Sequence, residues 1–384
     1  SYKTNLNYRW SENDSILMLV GIPERESKSD NQAVEFKVFD YNYDLMYECR
    51  IELDFEDRYF NIVSYRITNS GKILMLGSKM PNKRKGEKRD KEESNLTYYL
   101  YVYDVNKDEL IEYDLGLKDK FITNVDLRSD FEGNKSVICG IYSDKSFYAM
   151  AGSFYISIDQ SNYEVLSEKF NPFDKEFVEL MTYSKSYKKK VAKGKEDEIR
   201  KRNVVIRNII QKDDGGHLVV YEDYNYWTTT YVDQNGRKRK TDHNYSYNEI
   251  FVQNYTSEGE VVWTALIPKY QYTMNDGGEY SGFMLLVDQN RLHFIYNDHK
   301  KNEERWGTKK GQKVSRKFTK TNLVMVTLTE EGDLSYKVLM PSRVEKFLIK
   351  PRESRMIGSN GNKAILLAKK RTTTRFGKIE LLLD

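Results

Sequence analysis

A short turn rich in Asn, Asp, Gly and Glu recurs six times along this chain, and each copy leads into a compact apolar run. The turns are Glu12-Asn13-Asp14, Asn69-Ser70-Gly71, Glu132-Gly133-Asn134, Asp214-Gly215-Gly216, Asp288-Gln289-Asn290 and Asn360-Gly361-Asn362. The runs that follow include Ile16-Leu17-Met18-Leu19, Ile73-Leu74-Met75-Leu76, Leu218-Val219-Val220 and Leu292-His293-Phe294-Ile295. Such residues tolerate the backbone conformations that tight hairpins impose. A second series of turns lies at Asn42-Tyr43-Asp44, Asn106-Lys107-Asp108, Ser161-Asn162, Ser257-Glu258-Gly259 and Glu330-Glu331-Gly332. Each unit therefore reads strand, tight turn, strand, long link, strand, tight turn, strand.

Six units in series fit radial repetition. The expected fold class is all-β: a β-propeller of about six four-stranded blades, occupying residues 1–384 as a single domain. The spacing between units runs from roughly 55 to 80 residues, and the variation falls in the links. Composition agrees, since 30 Tyr and 17 Phe against 6 Pro suit pleated, half-buried surfaces. A β-sandwich or two tandem β domains is the alternative. The sixth unit reads as incomplete, with Arg355–Ser359, Ala364–Ala368 and Lys378–Leu383 but no fourth strand. Residues 172–203 break the β pattern. Phe173, Phe177, Leu180 and Met181 recur there at helical spacing, so a helical insertion is expected between blades 3 and 4, packed on a blade edge.

No run of 18 or more apolar residues occurs, so no transmembrane helix is expected. The chain starts at Ser1 rather than Met, which is read as an upstream signal or leader segment removed. Cys49 and Cys139 sit in apolar runs and read as free thiols.

The net charge is +4, but it is unevenly spread. Five links (79–93, 184–203, 223–247, 298–320 and 369–377) hold 33 Lys or Arg against 13 Asp or Glu, leaving −16 for the rest. In a propeller these links gather on one face. The expected basic loop face includes Lys83, Arg84, Lys85, Lys188, Lys189, Lys190, Arg237, Lys238, Arg239, Lys309, Lys310, Arg316 and Lys317. The plainer reading is solvated loops; the functional one is an acidic partner. Nucleic acid is not expected, because no binding motif accompanies the charge.

A second feature is an aromatic and acidic cluster in the fourth and fifth units: Glu222, Tyr224, Trp227, Tyr247, Lys269, Gln271, Tyr280, Asn297 and Asp298. Rings beside carboxylates and amides suit a sugar or peptide surface. The plainer reading is Tyr-rich packing. The four histidines, His217, His243, His293 and His299, show no HxH, HxxxH or HExxH spacing, so no metal and no cofactor is expected. GxSxG, P-loop and GxGxxG signatures are absent, and no catalytic residue is assigned.

The turns and paired strands resemble those of β-propellers with degenerate blades. The Asp214–Tyr224 and Glu258–Gln271 runs, with the abundance of Lys, Asn and Tyr, resemble uncharacterised propeller proteins of Gram-negative envelopes. That resemblance implies a periplasmic, outer-membrane-associated or extracellular setting. The expected function is a non-enzymatic scaffold that binds other proteins of an envelope assembly through the basic loops. Anionic glycan or lipid headgroups are further candidate partners, and a glycan-binding or glycan-cleaving propeller is the alternative.

Overall fold

A computed structural model shows the architecture. It describes residues 7–23, 31–56, 60–80, 96–132, 134–144, 149–181, 203–232, 236, 239–288, 291–308, 320–341, 347–357, 363–370 and 373–381. Six antiparallel sheets follow one another along the chain. The first holds β1 (Asn7–Trp10), β2 (Ile16–Gly21), β3 (Asn31–Asp40) and β4 (Leu45–Glu56). The second holds β5 (Phe60–Ile67), β6 (Ile73–Lys79), β7 (Thr97–Asp104) and β8 (Glu109–Asp114). The third holds β9 (Phe121–Ser129), β10 (Lys135–Ser143), β11 (Gly152–Asp159) and β12 (Val165–Pro172). The fourth has five strands: β13 (Val204–Gln211), β14 (His217–Val232), β15 (Arg239–Tyr255), β16 (Val261–Ile267) and β17 (Gln271–Met274). The fifth holds β18 (Met284–Asp288), β19 (Arg291–His299), β20 (Thr321–Leu328) and β21 (Leu334–Met340).

The sixth sheet differs. Its β22 (Leu348–Ile349) and β23 (Arg355–Ile357) both pair with β24 (Lys363–Lys370), and β25 (Thr373–Glu380) pairs with β24 as well. The first strand is therefore split in two, interrupted by a 3-10 turn at Pro351–Glu353. Among the described residues this sheet fills three strand positions.

The first strands of successive sheets lie side by side: β1 by β5, β5 by β9, β9 by β13, and β18 by β23. These strands form the inner layer, and β8, β12 and β21 present alternating exposed residues at the rim. The middle strands are covered on both faces by neighbouring sheets, which explains their unbroken apolar sequence. Five core clusters join sheets one to six in series. This is a six-bladed β-propeller.

Turn geometry latches the blades. At the first junction Tyr47 of β4 donates to the Gly71 carbonyl of the next blade. Tyr113 donates to Asn162 O (3.2 Å) at the second, and Asn171 Nδ2 to Gly259 O (2.9 Å) at the third. Trp263 Nε1 donates to Glu330 O (2.9 Å) at the fourth. A rim side chain of one blade thus satisfies a turn carbonyl of the next, at the turn end of the ring.

The expected helical insertion at 172–203 is described only at its start. β12 runs through Pro172, and α1 covers Lys175–Leu180. Phe173 and Phe177 pack edge-on against Phe251 of the fourth blade, at 6.1 and 5.2 Å between ring centroids. Phe173, Phe177 and Met181 therefore pack into the junction between blades 3 and 4. Residues 182–202 lie outside the described residues. Cys139 is buried, Cys49 partly so, and both are free thiols.

Candidate functional site

The fourth blade carries the main departure from the repeat. The stretch 223–247 is read from the sequence as a long loop, but its residues 224–232 and 239–247 continue the ladder of β14 and β15 from Tyr224–Tyr247 to Val232–Arg239. Alternating Tyr, Trp and Thr in this stretch favours a strand. A register shift between Glu222 and Tyr224 marks where the hairpin leaves the blade, and β17 pairs with Asn244–Tyr247 along its edge. The hairpin projects from the end of the ring opposite the tight turns.

At its base lies a buried polar network. The Lys269 ammonium donates to Glu222 Oε1 (2.7 Å), Tyr247 O (2.9 Å) and Gln271 Oε1 (3.2 Å). Glu222 Oε2 accepts a hydrogen bond from Arg207 Nε at 2.8 Å. Gln271 donates to Asn297 O (2.8 Å) and accepts from Gly282 N (2.8 Å). Asn297 Nδ2 reaches Tyr280 O (2.9 Å) and Ile349 O (2.7 Å). One chain of bonds thus joins blades 4, 5 and 6. Burial lowers the basicity of Lys269, and the adjacent Glu222 carboxylate opposes that shift.

Six residues of the expected cluster (Glu222, Tyr247, Lys269, Gln271, Tyr280 and Asn297) therefore come together in this network, but Glu222, Tyr247, Lys269, Gln271 and Asn297 are buried rather than displayed. Tyr224 covers Tyr247 at 4.7 Å. Asp298 points elsewhere, accepting from Asn302 Nδ2 (2.6 Å), His299 N (2.8 Å) and Tyr336 OH (3.2 Å). Trp227 stands out on the hairpin, 43% exposed, 6.0 Å from Tyr272.

Beside the network opens a cleft of about 310 Å³ between the inner strands of blades 4, 5 and 6. Arg207, Arg352 and Arg355 line it, with Asn208 and Ser354. Its lining includes one carboxylate, Glu222, which Lys269 and Arg207 already neutralise. Arg207 lies over the rings of Tyr224 (5.4 Å) and Tyr247 (5.8 Å), and Arg352 over Tyr247 (5.1 Å). Gly282 and Phe283, just ahead of β18, put part of the lining near the end of the ring where the long links leave the blades.

Sequence reasoning missed all three arginines. Arg207 sits inside an ordinary strand run. Arg352 and Arg355 belong to the segment Pro351-Arg352-Glu353-Ser354-Arg355, which splits the first strand of the sixth blade. That interruption, where other units have an unbroken strand, was the available signal. Of the expected basic face, Arg239 is exposed on the hairpin. Lys83, Arg84, Lys85, Lys188, Lys189, Lys190, Arg237, Lys238, Lys309, Lys310, Arg316 and Lys317 lie outside the described residues.

The histidines do not converge. His217 is bonded to Tyr155 OH (3.1 Å), His243 to Tyr226 OH (2.7 Å), and His293 to Thr327 Oγ1 (2.8 Å). Among the described residues no group of three or more His, Cys, Asp or Glu is placed to hold a metal ion. No described helix is long and apolar enough to cross a membrane.

No family model matches the chain, and no curated protein does. Among solved structures it is similar to an acylaminoacyl peptidase of Pyrococcus horikoshii, with 11% identity and a TM-score of 0.41, covering 100% of this chain and 46% of that one. A Trypanosoma rangeli sialidase shares 8% identity at a TM-score of 0.36, covering 98% and 54%. A protein of unknown function from Bacteroides caccae shares 12% identity at a TM-score of 0.27, covering 85% and 92%. The chain spans about half the length of the first two. These likenesses assign no residue and no activity.

Proposed function

We infer that this propeller is a non-enzymatic binding scaffold that engages an acidic protein partner at the loop end of its ring. One observation carries the reading. Three arginines converge on one cleft whose single carboxylate is already paired within the protein. Guanidinium groups are suited to carboxylate recognition by their planar fork of donors. The sequence adds basic links leaving the blades at the same end, and its resemblance favours an envelope or extracellular assembly.

The test is retention on immobilised poly-glutamate at low ionic strength. The protein should bind, elute with salt, and bind more weakly as the Arg352→Gln/Arg355→Gln variant. Passage of the unmodified protein straight through the column would overturn the reading.

A glycan-binding reading keeps one supporting observation. Trp227 is exposed beside the half-buried ring of Tyr272, and Asn244 accepts from Tyr272 OH at 2.6 Å. Trp227→Ala should then abolish signal on a glycan array; an unchanged signal removes this reading.

A further inference from the structure

The arginine cleft joins two chemistries. One wall is cationic. The rest of the lining is largely apolar, with Pro351 and Met356 flanking the arginines in the chain and Phe283, Met284 and Leu285 contributed by the start of blade 5. Met356 is 48% exposed, so an apolar surface borders the arginines directly.

The arginines are held before any ligand arrives. Arg352 Nη2 donates to Gly277 O (3.1 Å) and Gly278 O (2.9 Å), and its face is covered by Tyr247. Arg355 Nη1 donates to Arg352 O (2.7 Å) and Ser354 O (3.0 Å). These partners are neutral carbonyls, which orient the side chains without cancelling their charge. Among the described residues neither Arg352 nor Arg355 forms an ion pair. A fixed cation with uncompensated charge loses little entropy on binding an anion.

We propose that the cleft binds a short peptide segment in which a carboxylate adjoins an apolar side chain. The carboxylate sits on Arg352 and Arg355, and the apolar side chain lies against Met356 and Leu285. This rests on the acidic-partner reading and names the part of the partner recognised. A sugar acid satisfies the arginines equally well, but among the described lining residues only Asn208 and Ser354 offer uncharged polar side chains to its several hydroxyl groups. The cleft volume of about 310 Å³ is at the small end for ligand sites and suits a few residues of chain.

The test uses the whole chain and three short fluorescent peptides, read by anisotropy: alternating Glu and Leu, its Glu and Ser twin, and its Gln and Leu twin. The Glu-Leu peptide should bind saturably. The Glu-Ser peptide should bind about tenfold more weakly, the scale of one partly buried leucine. The Gln-Leu peptide should show no saturable binding. Arg352→Gln should weaken the Glu-Leu peptide about tenfold, the scale of one charged hydrogen-bonded contact. Met356→Gln should shrink the preference for Leu over Ser by weakening the Glu-Leu peptide more than the Glu-Ser peptide, a selective change that a misfolded variant would not give. Equal affinity for Glu-Leu and Glu-Ser overturns the proposal, yet leaves the acidic-partner reading standing if both depend on Arg352. A uronic-acid oligosaccharide that binds the cleft in preference to Glu-Leu overturns the peptide class. Absence of saturable binding by any peptide, with poly-glutamate retention also absent, overturns both.

Discussion

Lys269 Nζ lies 2.7 Å from Glu222 Oε1, and neither side chain is more than 1% exposed. The lysine spends all three of its donors on Glu222, Tyr247 O and Gln271. Glu222 also holds Arg207, so one carboxylate organises two cations. Removing the carboxylate leaves a buried ammonium without a counter-charge. Glu222→Gln should therefore destabilise the fold by about 3–5 kcal/mol in urea unfolding. Glu222→Gln/Lys269→Met removes both buried charges and should be less destabilised than Glu222→Gln alone. The opposite order would show that the pair is not coupled as described.

His217 gives the fold a pH dependence. Burial, with Arg128 and Lys212 nearby, holds its imidazole down to about 3 from the ordinary 6.5. The unfolded chain takes up a proton below 6.5 that the folded chain refuses, so stability from this group is present above 6.5 and is lost as pH falls. His217→Gln keeps a polar partner for Tyr155 and removes the titration. Its stability deficit relative to the unmodified protein should shrink by about 3 kcal/mol between about pH 7 and pH 4. A deficit that is constant with pH would refute the assignment.

The legibility of the fold and of the site differ for a physical reason. Turn residues such as Asn69-Ser70-Gly71 declare their own backbone geometry, so the six-unit repeat could be read directly. Glu222, Lys269 and Gln271 were grouped in the sequence as part of an aromatic and acidic binding surface, whereas the structure brings them together as a buried polar network. Their burial was not legible, since it depends on blades 5 and 6 closing over them. The arginine cleft was illegible for a related reason. Arg207 and Arg352 are 145 positions apart in sequence, and only the radial arrangement brings their strands together. The 223–247 stretch was misread because the charge run Arg237 to Lys240 in the sequence outweighed the strand-forming Tyr-Trp-Thr-Thr-Thr-Tyr segment at 226–231.

Asp298 should titrate in the opposite sense to His217. Burial raises its carboxyl to about 6, against donors from Asn302, His299 and Tyr336. The fold holds this proton longer than the unfolded chain does. The stability it contributes is complete below its ordinary 3.8 and is lost as pH rises through 6. Asp298→Asn should therefore gain on the unmodified protein by about 2 kcal/mol between about pH 4 and pH 7. Thermal unfolding of both proteins across that range checks it, and a gain on acidification instead would invert the sign argued here.

Gly259 tests whether the latches between blades are tight. It turns at a φ of 84°, and a Cβ there would lie 2.3 Å from Tyr155 of the preceding blade. Tyr155 cannot withdraw easily, because it is buried and stacked on Tyr255 at 5.5 Å. Gly116 also has a positive φ, 69°, but nothing lies within 4 Å of its would-be Cβ. Gly116→Ala should thus cost about 1 kcal/mol, the backbone penalty alone. Gly259→Ala carries the same penalty and must also displace a packed ring, which adds about 1–3 kcal/mol. The difference between the two variants isolates the contact across the blade junction. Equal costs in urea unfolding would mean that the turn of blade 4 does not press on blade 3.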